Sequence, residues 1–272
     1  METLHVLGTG HAMVTRCYNT CFALERDGQY FLVDGGGGNA ILRILAKQGI
    51  ALDRIEDLFL THAHTDHLFG VIWVLRRIAE EMLSGKNSGV LRIYGHSDAV
   101  AAIETIAKIS LQKKMTDLFG SRILLIPVED GEEKTILQNR VRFFDIHSTK
   151  LRQFGFEMSL SDGQRLVCLG DEPCSPLCET FAQKADWLLS EAFCRWEDRE
   201  KYHPYEKHHA AVRDACELAE RLGVKRLILW HSEEDTLENR TALYTLEGRR
   251  YYGGRLIVPR DGDVIDLNGG EE

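Results

Sequence analysis

The chain has 272 residues, of which 44% are hydrophobic and 28% are charged, and its formal net charge is −9. This length and apolar content are enough for one large domain with a full core, which we predict over residues 1–272. The negative charge argues against a binder of long nucleic acid or of an anionic membrane. No basic leader precedes the first apolar run, and no apolar stretch approaches about 18 residues, so a soluble cytoplasmic protein is expected.

The seven cysteines are predicted to be reduced thiols in that compartment. Cys17/Cys21 and Cys174/Cys178 both have CxxxC spacing. Each pair could form half of a metal site, but ordinary thiols are the favoured interpretation because neither pair has the tighter CxxC spacing.

Short apolar runs bounded by turns alternate with helical patterns along the chain. The predicted strands, in order, are Leu4–Leu7, Cys21–Leu24, Tyr30–Val33, Leu58–Leu60, Leu91–Tyr94, Ile123–Val128, Val141–Ile146, Phe154–Leu160, Leu166–Leu169, Asp186–Leu189, Leu227–Trp230, Ile257–Val258 and Val264–Leu267. The predicted helices are Asn39–Gln48, His67–Leu83, Ser97–Ser110 and Ala210–Leu222. A strand-rich start followed by strand–helix units favours an α/β fold of two packed sheets with helices outside.

Four of these strands end on a histidine or an aspartate, and one of them leads into an HxHxDH motif. The side chains delivered in this way are His62, His64, Asp66, His67, His147, Asp171 and His231. A single histidine at a strand end is usually structural, but this combination at four strand ends is hard to obtain by chance. Imidazole and carboxylate bind zinc and similar divalent ions, so the pattern predicts a metal centre.

Two ions can be distributed over these ligands. We predict that His62, His64 and His147 supply three nitrogens to the first ion. The second would be held by Asp66, His67 and His231, with Asp171 bridging both. Two divalent ions, two carboxylates and a hydroxide leave about one positive charge, which favours an anionic ester substrate. Because metal binding lowers the pKa of bound water to around 7, the predicted reaction is hydrolysis by metal-hydroxide attack.

The motif and several other segments resemble the metallo-β-lactamase superfamily, and within it the ribonuclease Z-like branch. The segments that carry the resemblance are Thr61–His67, Leu7–Gly10, Phe31–Gly37, Leu91–Gly95, Gly170–Cys174, Ser190–Phe193, His209 and Gly223–His231. They span nearly the whole chain, in order.

This resemblance implies an αββα sandwich of two mixed β-sheets flanked by helices, with two zinc ions or, in some relatives, manganese or iron. It also implies that the branch acts mostly on phosphodiesters. By position, Asp66 would bind metal and take a proton from the attacking water. His209 would stabilise or protonate the leaving oxygen, and Glu191 would orient His209.

The sequence departs from ribonuclease Z proper in two places. That enzyme carries a long arm that grips transfer RNA, often inserted before the Gly-Asp motif, whereas the stretch between His147 and Asp171 is filled by a predicted hairpin. The loop Met13–Arg16 also lacks the usual proline-and-basic pattern. The arm-less relatives act on smaller phosphodiesters, such as cyclic nucleotides, so a small anionic ester is the predicted substrate.

Three alternative functions stay open. They are a ribonuclease Z-type RNA endonuclease, a hydrolase of lactones or thioesters with the same metals, and a non-catalytic metal-binding sensor. The sensor is least favoured because such proteins usually lack ligands. Long nucleic acid and membrane are not expected as partners, and a homodimer is left open.

Three further features have competing interpretations. Asp34 precedes four glycines without the Lys-Ser/Thr of a phosphate-binding loop, so we interpret it as an orienter beside the metals. His208 and His209 are adjacent and only one can face a given site; the family register selects His209. The segment Phe193–Tyr205 is either a lid that stacks a ring or a packed surface loop. His11 is expected near the site because it follows the Gly8-Thr9-Gly10 turn.

Overall fold

The computed structural model describes residues 1–269, so residues 270–272 of the predicted domain lie outside it. The strands are Glu2–Gly8 (β1), Cys21–Arg26 (β2), Gln29–Val33 (β3), Ile55–Phe59 (β4), Leu91–Gly95 (β5), Ile123–Pro127 (β6), Glu133–Ile136 (β7), Asn139–Asp145 (β8), Phe154–Ser159 (β9), Arg165–Cys168 (β10), Trp187–Glu191 (β11), Arg226–Trp230 (β12), Arg255–Ile257 (β13) and Val264–Asp266 (β14). The helices are Ala40–Lys47 (α1), Thr65–Leu83 (α2), Ser97–Ser110 (α3), Lys113–Thr116 (α4), Glu179–Ala182 (α5), Arg199–Tyr202 (α6), Val212–Leu222 (α7) and Arg240–Gly248 (α8). Short 3-10 turns occupy Leu52–Arg54, Trp196–Asp198 and Tyr205–Lys207.

The strands form two mixed sheets of seven strands each. The first has the order β14-β1-β2-β3-β4-β5-β6 and the second the order β13-β12-β11-β10-β9-β8-β7. In each sheet one half is antiparallel and the other parallel: β3 to β6 pair in parallel, and so do β10 to β13. The carboxyl ends of parallel strands point the same way, which creates one functional edge per sheet.

The layers follow from the alternation of side chains along the strands. In the first sheet, Leu32 and Leu58 pack among residues of α1, α2 and α3. Their neighbours Phe31 and Phe59 face the second sheet, where they join Phe156 in an aromatic layer. The outer face of the second sheet is covered by α5, α7 and α8. Because both faces of the central strands are buried, these strands read as continuous apolar runs, and the predicted αββα sandwich is confirmed.

The elements differ from prediction mainly at their ends. Helix α2 begins at Thr65 rather than His67, so Asp66 lies in its first turn. The cap of α3 is the side chain of His96, which accepts a hydrogen bond from the backbone N–H of Ala99, and not Ser97. Strand β7 and the helices α4, α5, α6 and α8 were not predicted. Among the described residues, no helix has the length and apolar character needed to cross a membrane.

Candidate metal centre

The predicted site residues converge where the carboxyl ends of the parallel strands meet. Asp34 follows β3, the HxHxDH motif follows β4, Asp171 follows β10, Glu191 ends β11 and His231 follows β12. Asp34 and His231 both adopt left-handed backbone conformations, with φ of 57° and 56°. Such angles are uncommon outside glycine and concentrate at functional sites.

Two clusters of side chains that could hold a metal ion lie next to each other there. The first contains His62, His64 and Asp171, and the second contains Asp66, His67 and His231. A third group, Glu191, His209 and His231, shares His231 with the second. Asp171 connects them: its Oδ2 lies 3.6 Å from Nε2 of His62, 3.7 Å from Nε2 of His67 and 3.5 Å from Nε2 of His231. The carboxylate of Asp171 therefore lies between imidazole nitrogens of both clusters.

The separations between the donor atoms are those expected for ligands of a divalent metal ion. Ligands of a tetrahedral zinc lie about 2.1 Å from the ion and therefore about 3.4 Å from one another, close to the separations around Asp171. Within residues 1–269, Nε2 of His67 and Nε2 of His231 are buried without a hydrogen-bond partner. Burial opposes ionisation of Asp171, but the imidazoles of His62 and His231 outweigh it and hold the pKa of this carboxyl well below its usual range. The cluster therefore offers a carboxylate and lone pairs aimed at a shared space.

Asp34 orients this cluster, as predicted. Its Oδ2 lies 2.7 Å from Nδ1 of His67 and accepts a hydrogen bond from the Thr61 hydroxyl at 2.8 Å. The backbone N–H of Thr61 donates to Oδ1 at 2.8 Å. Because Nδ1 of His67 is occupied in this way, Nε2 is the nitrogen left for a metal.

Gly70 of helix α2 packs closely against Gly35 and Gly36 in the turn that follows Asp34. The N–H of Gly70 donates to the carbonyl of Gly36 at 2.7 Å, and the N–H of Gly35 donates to the carbonyl of His67 at 2.9 Å. A Cβ at Gly70 would lie 1.6 Å from the carbonyl oxygen of Gly35. The glycines thus form a tight turn beside the site rather than a phosphate-binding loop.

The arrangement differs from prediction at His147. This residue is exposed, has a φ of 58°, and its N–H donates to Oδ1 of Asp145 at 2.7 Å. This left-handed turn keeps it apart from both clusters, which do not include it. Its role as third ligand of the first ion stays a prediction that requires its side chain to turn toward His62.

Gln153 was missed by sequence reasoning. It is buried immediately before β9, its Nε2 donates to Oδ1 of Asp171 at 2.7 Å, and it lies 3.0 Å from Nδ1 of His62. It therefore connects residues of both halves of the chain. Its buried position at the start of a predicted strand was the available signal, but a glutamine carries no metal-ligand pattern.

Glu191 and His209 meet beside the second cluster. Oε2 of Glu191 lies 3.5 Å from Nδ1 of His209, and Oε1 accepts the N–H of Ala210 at 2.5 Å. The His209 ring stacks on Phe193 with a centroid separation of 5.1 Å. Burial, reinforced by the charge of Lys150, lowers the pKa of His209 to about 4, while burial raises the pKa of Glu191 well above its usual range. Both groups are thus driven toward their uncharged forms.

Two of the open interpretations concern residues next to the site. His208 is exposed and contacts the Thr149 hydroxyl at 2.6 Å, so His209 is the histidine that faces the site. In the segment Phe193–Tyr205, Trp196 lies under the guanidinium of Arg199, and the Tyr205 hydroxyl donates to Asp214 at 2.7 Å. In this structure the segment is packed by these contacts and contains the 3-10 turn Trp196–Asp198 and α6.

A cavity of about 480 Å³ opens over the two clusters. His11 lines it, as expected, and its ring centroid lies 4.7 Å from that of Phe193. Lys150 and Lys207 also line the cavity and were not singled out from the sequence. Its size is within the range of small-molecule sites.

Comparison with known proteins gives a consistent assignment. The chain is 28% identical to ribonuclease Z of Thermococcus kodakarensis, over 99% of this chain and 96% of the relative. It is 27% identical to ribonuclease Z of Halalkalibacterium halodurans, over 84% of this chain and 86% of the relative.

Solved structures share the fold. They include YhfI of Bacillus subtilis, a metallo-β-lactamase fold protein, with a TM-score of 0.77 and 18% identity over 97% of this chain and 98% of that one. The short form of human tRNase Z has a TM-score of 0.72 and 21% identity, over 97% of this chain and 99% of that one. With the donor clusters described above, these similarities make the chain a metal-dependent hydrolase of the metallo-β-lactamase superfamily, ribonuclease Z-like in sequence. A family profile described as "Anti-Pycsar protein Apyc1" matches residues 2–245, and the chain belongs to that family.

Proposed function

We propose that this hydrolase is a dinuclear phosphodiesterase that acts on a small phosphodiester, such as a cyclic nucleotide. The observation that carries the proposal is the position of Asp171 Oδ2, within 3.5–3.7 Å of imidazole nitrogens from both clusters. Two divalent ions, most naturally zinc, would be held there by the two clusters together with His147. When bound, such ions polarise phosphoryl oxygens and supply hydroxide at neutral pH.

The remaining chemistry falls to the chain's own residues. His209 lies at the cavity wall, where it can stabilise or protonate the leaving oxygen. The Glu191 carboxyl, 3.5 Å from its Nδ1, would hold the imidazole in orientation and share its proton. Asp66, in the first turn of α2, would accept a proton from the attacking water.

The fold favours a small substrate. The stretch between His147 and Asp171 holds only the β9–β10 hairpin, with no inserted arm. The net charge of −9 gives a long polyanion few favourable contacts, whereas binding of nucleic acid draws its affinity from many phosphate contacts. The chain also belongs to a family that is described as Anti-Pycsar protein Apyc1 and not as ribonuclease Z.

The test is a substrate screen with zinc-loaded protein. We expect hydrolysis of bis-p-nitrophenyl phosphate and of cyclic mononucleotides, and little action on lactones or on precursor transfer RNA. Elemental analysis should find close to two ions per chain. Specific 3′ trimming of precursor transfer RNA would favour the ribonuclease Z alternative instead, and lactone turnover without phosphodiester turnover would favour a carbonyl substrate.

A further inference from the structure

Two lysines lie on the walls of the cavity over the metal centre although the chain is acidic overall. Lys150 and Lys207 line it, and its acidic lining residues are Asp66 and Asp171. Both aspartates belong to the metal-binding clusters. The lysines are therefore the charges of the cavity that the metal centre does not use.

Lys150 is held in place by a buried carboxylate. Glu172 is only 6% exposed, and it accepts hydrogen bonds from the Ser148 hydroxyl at 2.5 Å and the Thr149 N–H at 3.4 Å. These contacts fix the loop between β8 and β9. The ammonium of Lys150 lies 3.9 Å from Glu172, beyond hydrogen-bonding distance. Glu172 thus anchors the loop and forms an ion pair with Lys150, but it does not accept a hydrogen bond from the ammonium group.

The two cavity lysines are held differently. The side chain of Lys150 is only 22% exposed and lines the cavity together with Asp171 and His209. The ammonium of Lys207 lies over the Phe193 ring at 5.0 Å, in a cation–π contact. Lys150 is therefore the cavity lysine that we expect to meet a bound anion.

We propose that Lys150 binds a non-bridging oxygen of the phosphodiester and makes the site selective for anionic over neutral esters. This inference rests on the proposed function and adds a specificity-determining residue to it. A charged hydrogen bond to phosphate would stabilise the bound substrate and the transition state alike, so its loss acts on KM more than on kcat.

The experiment uses zinc-loaded protein, with bis-p-nitrophenyl phosphate as substrate and dimethyl phosphate, a monoanionic diester, as inhibitor. Lys150→Gln should raise KM and the inhibition constant together by about 10- to 100-fold. The value of kcat should change far less, and the zinc content should not change. Lys150→Arg should recover most of the binding. Lys47→Gln, which removes the same charge from the exposed end of α1, is the matched control and should leave both constants unchanged.

Two results would overturn the inference. One is an unchanged KM and inhibition constant in Lys150→Gln. The other is a fall in kcat alone, which would make Lys150 a structural or proton-transferring group. Calorimetric binding of dimethyl phosphate separates this inference from the proposed function. If the protein cleaves no phosphodiester, the proposed function fails, while loss of dimethyl phosphate binding in Lys150→Gln still identifies the anion site.

Discussion

Gly70 carries the closest backbone approach near the metal centre, and Gly70→Ala tests whether that approach holds the site together. The new Cβ would lie 1.6 Å from the Gly35 carbonyl oxygen, whereas an ordinary contact needs at least 3.4 Å. Helix and turn must therefore separate by about 1.8 Å, the difference between these distances. A shift of that size breaks both hydrogen bonds between the two segments.

The magnitude follows from these contacts. Leaving two buried backbone groups unsatisfied costs about 1–3 kcal/mol each. Alanine recovers about 1 kcal/mol through its higher helix propensity. The free energy of unfolding should thus fall by roughly 1–5 kcal/mol. Asp66 and His67 lie one turn earlier on α2, so zinc affinity should fall as well.

Equilibrium urea unfolding at fixed zinc concentration measures this loss. Gly38→Ala is the control in the same turn, because a Cβ there meets nothing within 4 Å, and it should change stability by about 0.5 kcal/mol or less. Gly35→Ala should be as damaging as Gly70→Ala, and the double variant little worse, since all three disrupt one contact. A Gly70→Ala protein as stable as the wild type would refute the reasoning.

Three further predictions concern the site and the fold. His209→Ala should keep both metals and lose about 100- to 10,000-fold in turnover on an alkoxide-leaving diester, with a smaller loss on bis-p-nitrophenyl phosphate. Equal losses on both substrates, or an effect of similar size in His208→Ala, would contradict the role of His209 as proton donor. His64→Ala should instead lower the zinc content in elemental analysis and fail on both substrates, and full zinc occupancy would show that His64 is no ligand. Burial alone would raise the pKa of Glu2. Hydrogen bonds from Ser161 and Asn139 outweigh this effect, so the net result is a pKa below the usual 4.5. Its stabilisation is therefore present above pH 4.5 and is lost as the pH falls through the lowered value. Glu2→Gln should lower the free energy of unfolding in urea at about pH 7 and lower it less at about pH 4. An equal decrease at both pH values would contradict this role of the Glu2 carboxylate.

The sequence was informative where local pattern and chemistry agree. The central strands are buried on both faces, so their apolar runs were unambiguous and only their ends shifted. The metal-binding residues were found because each follows such a strand. Strand β7 was missed because Glu133–Ile136 is a polar edge strand, exposed at two of its four residues. No local pattern marks such a strand, because its pairing with β8 is a tertiary contact.

The rest of the site depended on contacts between distant segments. Lys150 and Lys207 reach the cavity, and Gln153 reaches Asp171, from segments whose paths are set by tertiary packing. Their residue types are common on any surface. His147 was predicted as a ligand from its place after a strand, but its backbone conformation could not be inferred from that place. The sequence patterns thus predicted most of the candidate metal ligands, but they did not predict the residues that surround those ligands.

Strand β14 has a consequence for the order in which the molecule can assemble. It pairs with β1, so Thr3 lies opposite Asp266, and the Trp187 indole donates to the Leu267 carbonyl at 3.1 Å. The first sheet therefore joins two strands that lie about 260 residues apart in the sequence. Until β14 is in place, the outer edge of β1 has no partner and can pair with another chain. Because closing so long a loop is slow, we expect the pairing of β14 with β1 to be a late step of folding, during which a chaperone that shields strand edges would be of most use.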